Sequence, residues 1–138
     1  MHEIVMGKSI GPIKIGMKRE TVKALFEDVD EWRKVPYGMS REVLFNLYDR
    51  CFLVEYNQDD CVIFICCDAT DELIYNGKII NQWKYTDLLE EARNMDPELE
   101  EDSVGFTSKN LGFGISLDDN YDGEIDAVQV VVEGYDEW

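Results

Sequence analysis

The stretch Gly11-Pro12-Ile13-Lys14-Ile15-Gly16-Met17-Lys18-Arg19-Glu20-Thr21-Val22-Lys23-Ala24-Leu25-Phe26 changes its hydrophobic period halfway along. Before Gly16, Ile13 and Ile15 alternate with Lys14, the period of a half-buried strand. Beyond Gly16, Val22, Leu25 and Phe26 recur at i, i+3 and i+4, one face of a helix. A single extended piece over 9–15 followed by a helix over 17–26 is therefore expected. A looser connection is expected over 28–40, where Pro36 and Gly38 break regular structure. Three strand-like runs follow at 43–48, 52–56 and 62–67. Asp49-Arg50 and Asn57-Gln58-Asp59-Asp60 separate them as polar turns of hairpin length.

The second half repeats that order. Asn76-Gly77, a strong turn dipeptide, sits between Ile74-Tyr75 and a run over 78–80. The spacing of Leu88, Leu89, Ala92 and Met95 predicts a helix over 85–95, with Thr86 or Asp87 near its cap. Asp96-Pro97 ends it. An acidic loop over 98–102, strands over 104–107, 111–117 and 125–133, and a tail over 134–138 complete the chain. A shift of 66 residues brings Gly11 onto Gly77, Lys18 onto Lys84 and Asp60-Cys61-Val62 onto Asp126-Ala127-Val128. The expected fold class is α+β, one domain over 1–138. It consists of two tandem helix-plus-three-strand-meander units, about 9–70 and 73–133, in antiparallel sheets with the helices on one face. Whether the halves share one sheet stays open.

The 138 residues are 45% hydrophobic, enough to bury a core, which excludes a disordered chain. Thirteen basic side chains face 30 acidic ones, a net charge of −17. Such a surface repels nucleic acid and anionic lipid. Residues 1–70 carry nine basic and twelve acidic groups, net −3, whereas 71–138 carry four and eighteen, net −14. A one-sided negative field steers a cationic partner. Met1-His2-Glu3-Ile4 has no export pattern, and a cytoplasmic location is expected, with reduced thiols.

Catalytic chemistry is sparse. His2, the one histidine, is expected on a mobile terminus, which leaves Ser-His and Cys-His schemes without their usual base. Cys51, Cys61, Cys66 and Cys67 show no zinc-type spacing. With Gln58-Asp59 as the turn, Cys51 would face Cys66 at disulfide distance, although small core thiols suit a reducing compartment better. Gly112-Phe113-Gly114 lacks the helix of a phosphate loop and reads as close backbone packing. Paired carboxylates keep a carboxylate-dependent hydrolase as a weaker alternative.

Asp118, Asn120, Asp122 and Gly123 occupy positions 1, 3, 5 and 6 of a calcium loop. Position 12 is Gln129 where a bidentate glutamate belongs, and the flanks are strand-like. These departures favour an acidic hairpin loop, with Asp118, Asn120 and Asp122 retained as candidate calcium ligands. Phe45, Phe52, Phe64, Phe106 and Phe113 are expected in the core. Tyr37, Tyr121, Tyr135 and Trp138 stand among polar residues, and Tyr121 and Trp138 are the candidate interface anchors.

The Gly11–Val22 stretch Gly-Pro-Ile-Lys-Ile-Gly-Met-Lys-Arg-Glu-Thr-Val resembles the entry to the first helix in SmpA-like and β-lactamase-inhibitor-protein-like folds. The resemblance implies helices packed on an antiparallel meander, duplicated as in the inhibitor proteins, and a binder without catalytic residues. The whole chain also looks like small acidic bacterial proteins, some of which are immunity partners of secreted toxins. The expected function is a non-catalytic module that docks on a basic protein, a toxin or enzyme. Glu98, Glu100, Glu101, Asp102, Asp118, Asp119, Asp122 and Glu124 supply the field. A calcium- or ligand-responsive structural module is the alternative.

Overall fold

The structure is a computed structural model that describes residues 2–26, 28–34, 40–45, 51–70, 73–118 and 124–135, with the backbone alone for 28–34, 40–45 and 51. In chain order the first half contains β1 (His2–Val5), β2 (Ser9–Ile10), β3 (Ile13–Lys14), α1 (Arg19–Ala24), β4 (Asp28–Lys34), β5 (Ser40–Phe45), β6 (Cys51–Tyr56) and β7 (Val62–Asp68). The second contains β8 (Leu73–Tyr75), β9 (Lys78–Ile79), a 3-10 turn at Ile80–Gln82, α2 (Tyr85–Met95), β10 (Glu100–Asp102), β11 (Gly105–Ser108), β12 (Phe113–Leu117) and β13 (Ile125–Val131). A five-stranded sheet runs β3-β2-β1-β8-β9 and an eight-stranded sheet runs β10-β11-β12-β13-β7-β6-β5-β4. Among the described residues, β1 and β8 are the one parallel pair. The last strands of the two halves, β7 and β13, pair at the centre of the large sheet. The fold is thus α+β, with two helices packed against mixed sheets.

Strand register explains the core. Phe52, Cys67, Val128, Ile115 and Phe106 stand opposite one another across five strands. Val54, Ile65, Val130, Phe113 and Ser108 form a second such row. Opposed residues share a sheet face, and all ten are buried. Phe26, just after α1, packs on Phe52 at 5.6 Å, and Tyr85 of α2 packs on Phe106 at 6.0 Å. Both helices therefore lie on this face. Tyr75 of the small sheet stacks on Phe113 at 5.8 Å, which brings the small sheet into the same cluster. On the opposite face, Glu55, Phe64 and Val131 align. Tyr135 covers them: its ring lies 5.5 Å from Phe64 and its hydroxyl donates to Glu55 Oε2 at 2.6 Å.

The helix over Tyr85–Met95 matches its expected bounds, burying Leu88, Leu89 and Ala92 while Met95 stays exposed. Asn76 and Gly77 both take positive φ, 50° and 80°, as a tight hairpin turn needs. Close packing also explains Gly112: a Cβ there would lie 2.6 Å from the Val131 carbonyl oxygen and 2.8 Å from the Gly7 Cα. Phe52, Phe106 and Phe113 are core residues as expected, and Phe64 is half-buried. The Phe45 side chain and Tyr37 lie outside the described residues.

Several expectations are corrected. His2 is not on a loose end: it opens β1, and its ring meets Phe52 at 6.1 Å. The extended piece over 9–15 folds back as the β2–β3 hairpin, because Gly11 (φ 57°) and Pro12 turn the chain. Helix α1 is shorter than the period predicts, and Leu25 is 47% exposed beyond it. The connection expected over 28–40 contains β4, paired antiparallel with β5. Pairing with β4 and β6 places β5 at Ser40–Phe45, earlier than the expected run. The acidic loop over 98–102 contains β10, because pairing with β11 overrides the low strand propensity of acidic residues. Each helix is consequently followed by four strands of the large sheet, not three. Lys84 is the N-cap of α2, without a side-chain bond, and Thr86 and Asp87 lie in the first turn beside it. Cys66 stands opposite Leu53, and Cys51 opposite Phe45, so the proposed Cys51–Cys66 register is wrong. A register shift near Glu55 and Tyr56 moves the pairing. Tyr135 is not a tail residue but 6% exposed.

Candidate functional site

Antiparallel pairing of β7 with β13 sets Asp68 opposite Ala127, so the end of one strand meets the start of the other. The Ala69 N–H donates to the Asp126 carbonyl at 2.8 Å and locks this end. Beside it, the Asp118 N–H donates to the Glu124 carbonyl at 2.9 Å, drawing together the two ends of the β12–β13 connection. The first turn of α2, with Trp83 and Lys84 before it, closes the other side. The result is an open cleft of about 680 Å³, lined by Asp68, Asp118, Glu124 and Asp126, with Lys84 as its cation.

Its electrostatics follow from crowding. Burial first, and then the charge of Asp126, push the Asp68 carboxyl above the usual aspartate range. Trp83 gives the cleft an aromatic wall: its Nε1–H donates to the Tyr75 carbonyl at 3.2 Å, which fixes the ring. The Lys78 Nζ already lies 5.2 Å from that ring's centre, a cation–π arrangement.

A second acidic element lies at the sheet's end. Glu100, Glu101 and Asp102 form β10, and all three are exposed. Glu101 accepts from Arg93 at 3.1 Å and from the Tyr85 hydroxyl at 3.3 Å, so its carboxylate is tied to α2. Burial, reinforced by Glu101, pushes the Tyr85 hydroxyl up to about 12. The exposed Arg93–Glu101 pair itself stabilises by less than about 1 kcal/mol.

Between these elements, Asp96 ends α2 and is only 3% exposed. It accepts from Ser108 Oγ at 2.6 Å, Asn110 Nδ2 at 2.9 Å and the Glu98 N–H at 3.1 Å. The Ser108 and Asn110 bonds outweigh burial and hold its carboxyl below the usual range. Asp96 is a structural clamp between α2 and β11.

Of the sequence-selected residues, Asp118 and Glu124 meet in the cleft, and Glu100, Glu101 and Asp102 share β10. Glu98 is exposed beside the Asp96 clamp. Asp119, Asn120, Tyr121, Asp122 and Trp138 lie outside the described residues, so of the candidate calcium ligands Asp118 alone is described. The flanks of that loop, β12 and β13, are strands. Among the described residues no group of three or more His, Cys, Asp or Glu side chains is placed to hold a metal ion. No described helix is long and apolar enough to cross a membrane. Sequence reading missed Asp68, Asp126, Trp83 and Lys84 as cleft residues. The available signal was the pairing of Asp60 with Asp126 in the 66-residue shift. Asp68 gave none, since its place depends on β7 pairing with β13. Comparison with known proteins finds no matching family model, curated protein or solved structure.

Proposed function

We propose that the protein is a non-catalytic, acidic protein-binding module that seats a lysine or arginine of a basic partner in the cleft before α2. The observation that carries this reading is that Asp68, Asp118, Glu124 and Asp126 line one open cleft in which, among the described residues, Lys84 is the basic side chain, beside the Trp83 ring. Four carboxylates against one ammonium leave the cleft unneutralised. A guanidinium or ammonium gains charge-assisted hydrogen bonds there. The −14 charge of residues 71–138 steers such a partner inward. The duplicated helix-plus-meander architecture and the resemblance to inhibitor-protein folds belong to the same proposal. Its most concrete form is a cytoplasmic immunity protein that neutralises a basic toxin or enzyme.

The test is retention of a basic protein from the native cell at low salt, repeated with Asp118→Asn/Glu124→Gln/Asp126→Asn. The expected result is loss of the retained protein in the variant and at high ionic strength. Retention that ignores both removes the reading.

One observation favours a second reading. An Asp68 with a raised carboxyl beside Asp126 in a cleft is also what a carboxylate-dependent hydrolase needs. Turnover of a glycoside panel that disappears in Asp68→Asn would establish it. No turnover above buffer would exclude it for those substrates.

A further inference from the structure

The large sheet ends at β10, whose inner edge pairs with β11 through Glu100 with Thr107, Glu101 with Phe106 and Asp102 with Gly105. Among the described residues no strand pairs with its outer edge. An edge strand presents backbone N–H and C=O groups that another extended chain can pair with. We infer that this edge of β10 receives an added strand from a basic partner, an extended segment with lysine or arginine at alternate positions.

Register selects that occupant. Glu101 stands opposite Phe106 and is held by Arg93 and Tyr85, so it faces α2. Side chains alternate along a strand, so Glu100 and Asp102 project from the other face. Alternate cations on an incoming strand would lie beside these two carboxylates. Opposite charges across neighbouring strands attract, and like charges repel. The same carboxylates therefore reject an acidic strand, including β10 of a second copy of this chain. A shallow hollow of about 180 Å³ alongside, bordered by Val104, gives one apolar position of the segment a place to rest. Val104 is 52% exposed there. Three residues of edge make few backbone hydrogen bonds, so the affinity is weak and salt-sensitive.

The inference rests on the proposed binding function but names a different surface from the cleft. The probe is an eight-residue peptide alternating lysine and valine, added to the full chain while amide hydrogen exchange is followed by NMR. The expected result is exchange slowed about fivefold or more at Glu100–Asp102. The effect should be lost in Glu100→Lys/Asp102→Lys and absent with a glutamate–valine peptide. Protection confined to the surroundings of Asp118 and Glu124 would overturn the edge site and leave the binding function standing. Absence of any response to this peptide would also overturn the edge site. The proposed function would fall with it only if retention of basic proteins failed too.

Discussion

The clefts in front of the two helices occupy corresponding places in the chain but differ in charge balance. In front of α1, Lys18, Arg19 and Lys23 stand with Glu20, Asp59 and Asp60 around a space of about 500 Å³. In front of α2, Asp68, Asp118, Glu124 and Asp126 stand with Lys84. Lys18 and Lys84 both cap their helices, and the 66-residue shift that aligns them also aligns Asp60 with Asp126. The first cleft is balanced internally: Lys18 Nζ donates to the Asp59 carbonyl at 3.2 Å, and Asn57 Oδ1 accepts from the Asp59 and Cys61 N–H groups to close the turn. The second carries surplus negative charge beside an aromatic ring. The two clefts thus differ in charge balance, the first neutral and the second net negative, and the proposed binding role belongs to the second.

The largest expected effect separates the far ends of the helices. Asp96→Ala removes three hydrogen bonds to a buried carboxylate and should destabilise the protein by about 3 kcal/mol in urea unfolding. Beyond α1, Phe26 packs half-buried on Phe52, so Phe26→Ala should cost less. Equal losses would mean that the two helix ends are held alike. Because the Asp96 carboxyl is lowered in the folded state, its stabilising contribution is present above the ordinary aspartate range. It should disappear as the pH falls through the depressed value, making the wild type more acid-sensitive than Asp96→Asn.

Next comes the contrast in charge. Neutralising Asp118, Glu124 and Asp126 together should weaken binding of a lysine-rich peptide roughly tenfold by calorimetry, while Asp59→Asn/Asp60→Asn should leave it within about twofold. A similar loss from both would erase the distinction between the clefts. A smaller effect concerns Tyr85, which takes the place of Arg19 under the shift. Its ultraviolet titration should occur near 12 and fall in Glu101→Gln. The raised hydroxyl contributes stability below the ordinary tyrosine range that is lost as pH rises towards 12. The smallest effect is on Asp68: Asp126→Asn should lower its carboxyl towards the usual range, without reaching it because burial remains. Carbon-detected NMR titration that finds no change would remove Asp126 as its neighbour.

What the sequence made legible follows from the range of the forces involved. Asn76-Gly77 and Tyr85–Met95 are set by local turn chemistry and periodicity, and both fall where expected. The strand Glu100–Asp102 does not, because its exposed acidic residues become a strand only through pairing with Gly105–Ser108. β4 was hidden for the same reason, by its dependence on β5. Asp118 and Glu124 were visible as charges, yet their meeting with Asp68 required the β7–β13 pairing, which no local pattern encodes. Tyr135 looked like a surface aromatic because its partner, Glu55, is 80 residues away in the chain.

The most direct measurement is a titration of the full chain with a small basic protein, followed by amide chemical shifts at about 50 mM and 300 mM salt. The account predicts shifts gathered around Asp68, Trp83, Asp118 and Asp126 at the lower salt, fading at the higher as screening tightens. Equal shifts around Lys18 and Asp59, or a response indifferent to salt, would contradict it.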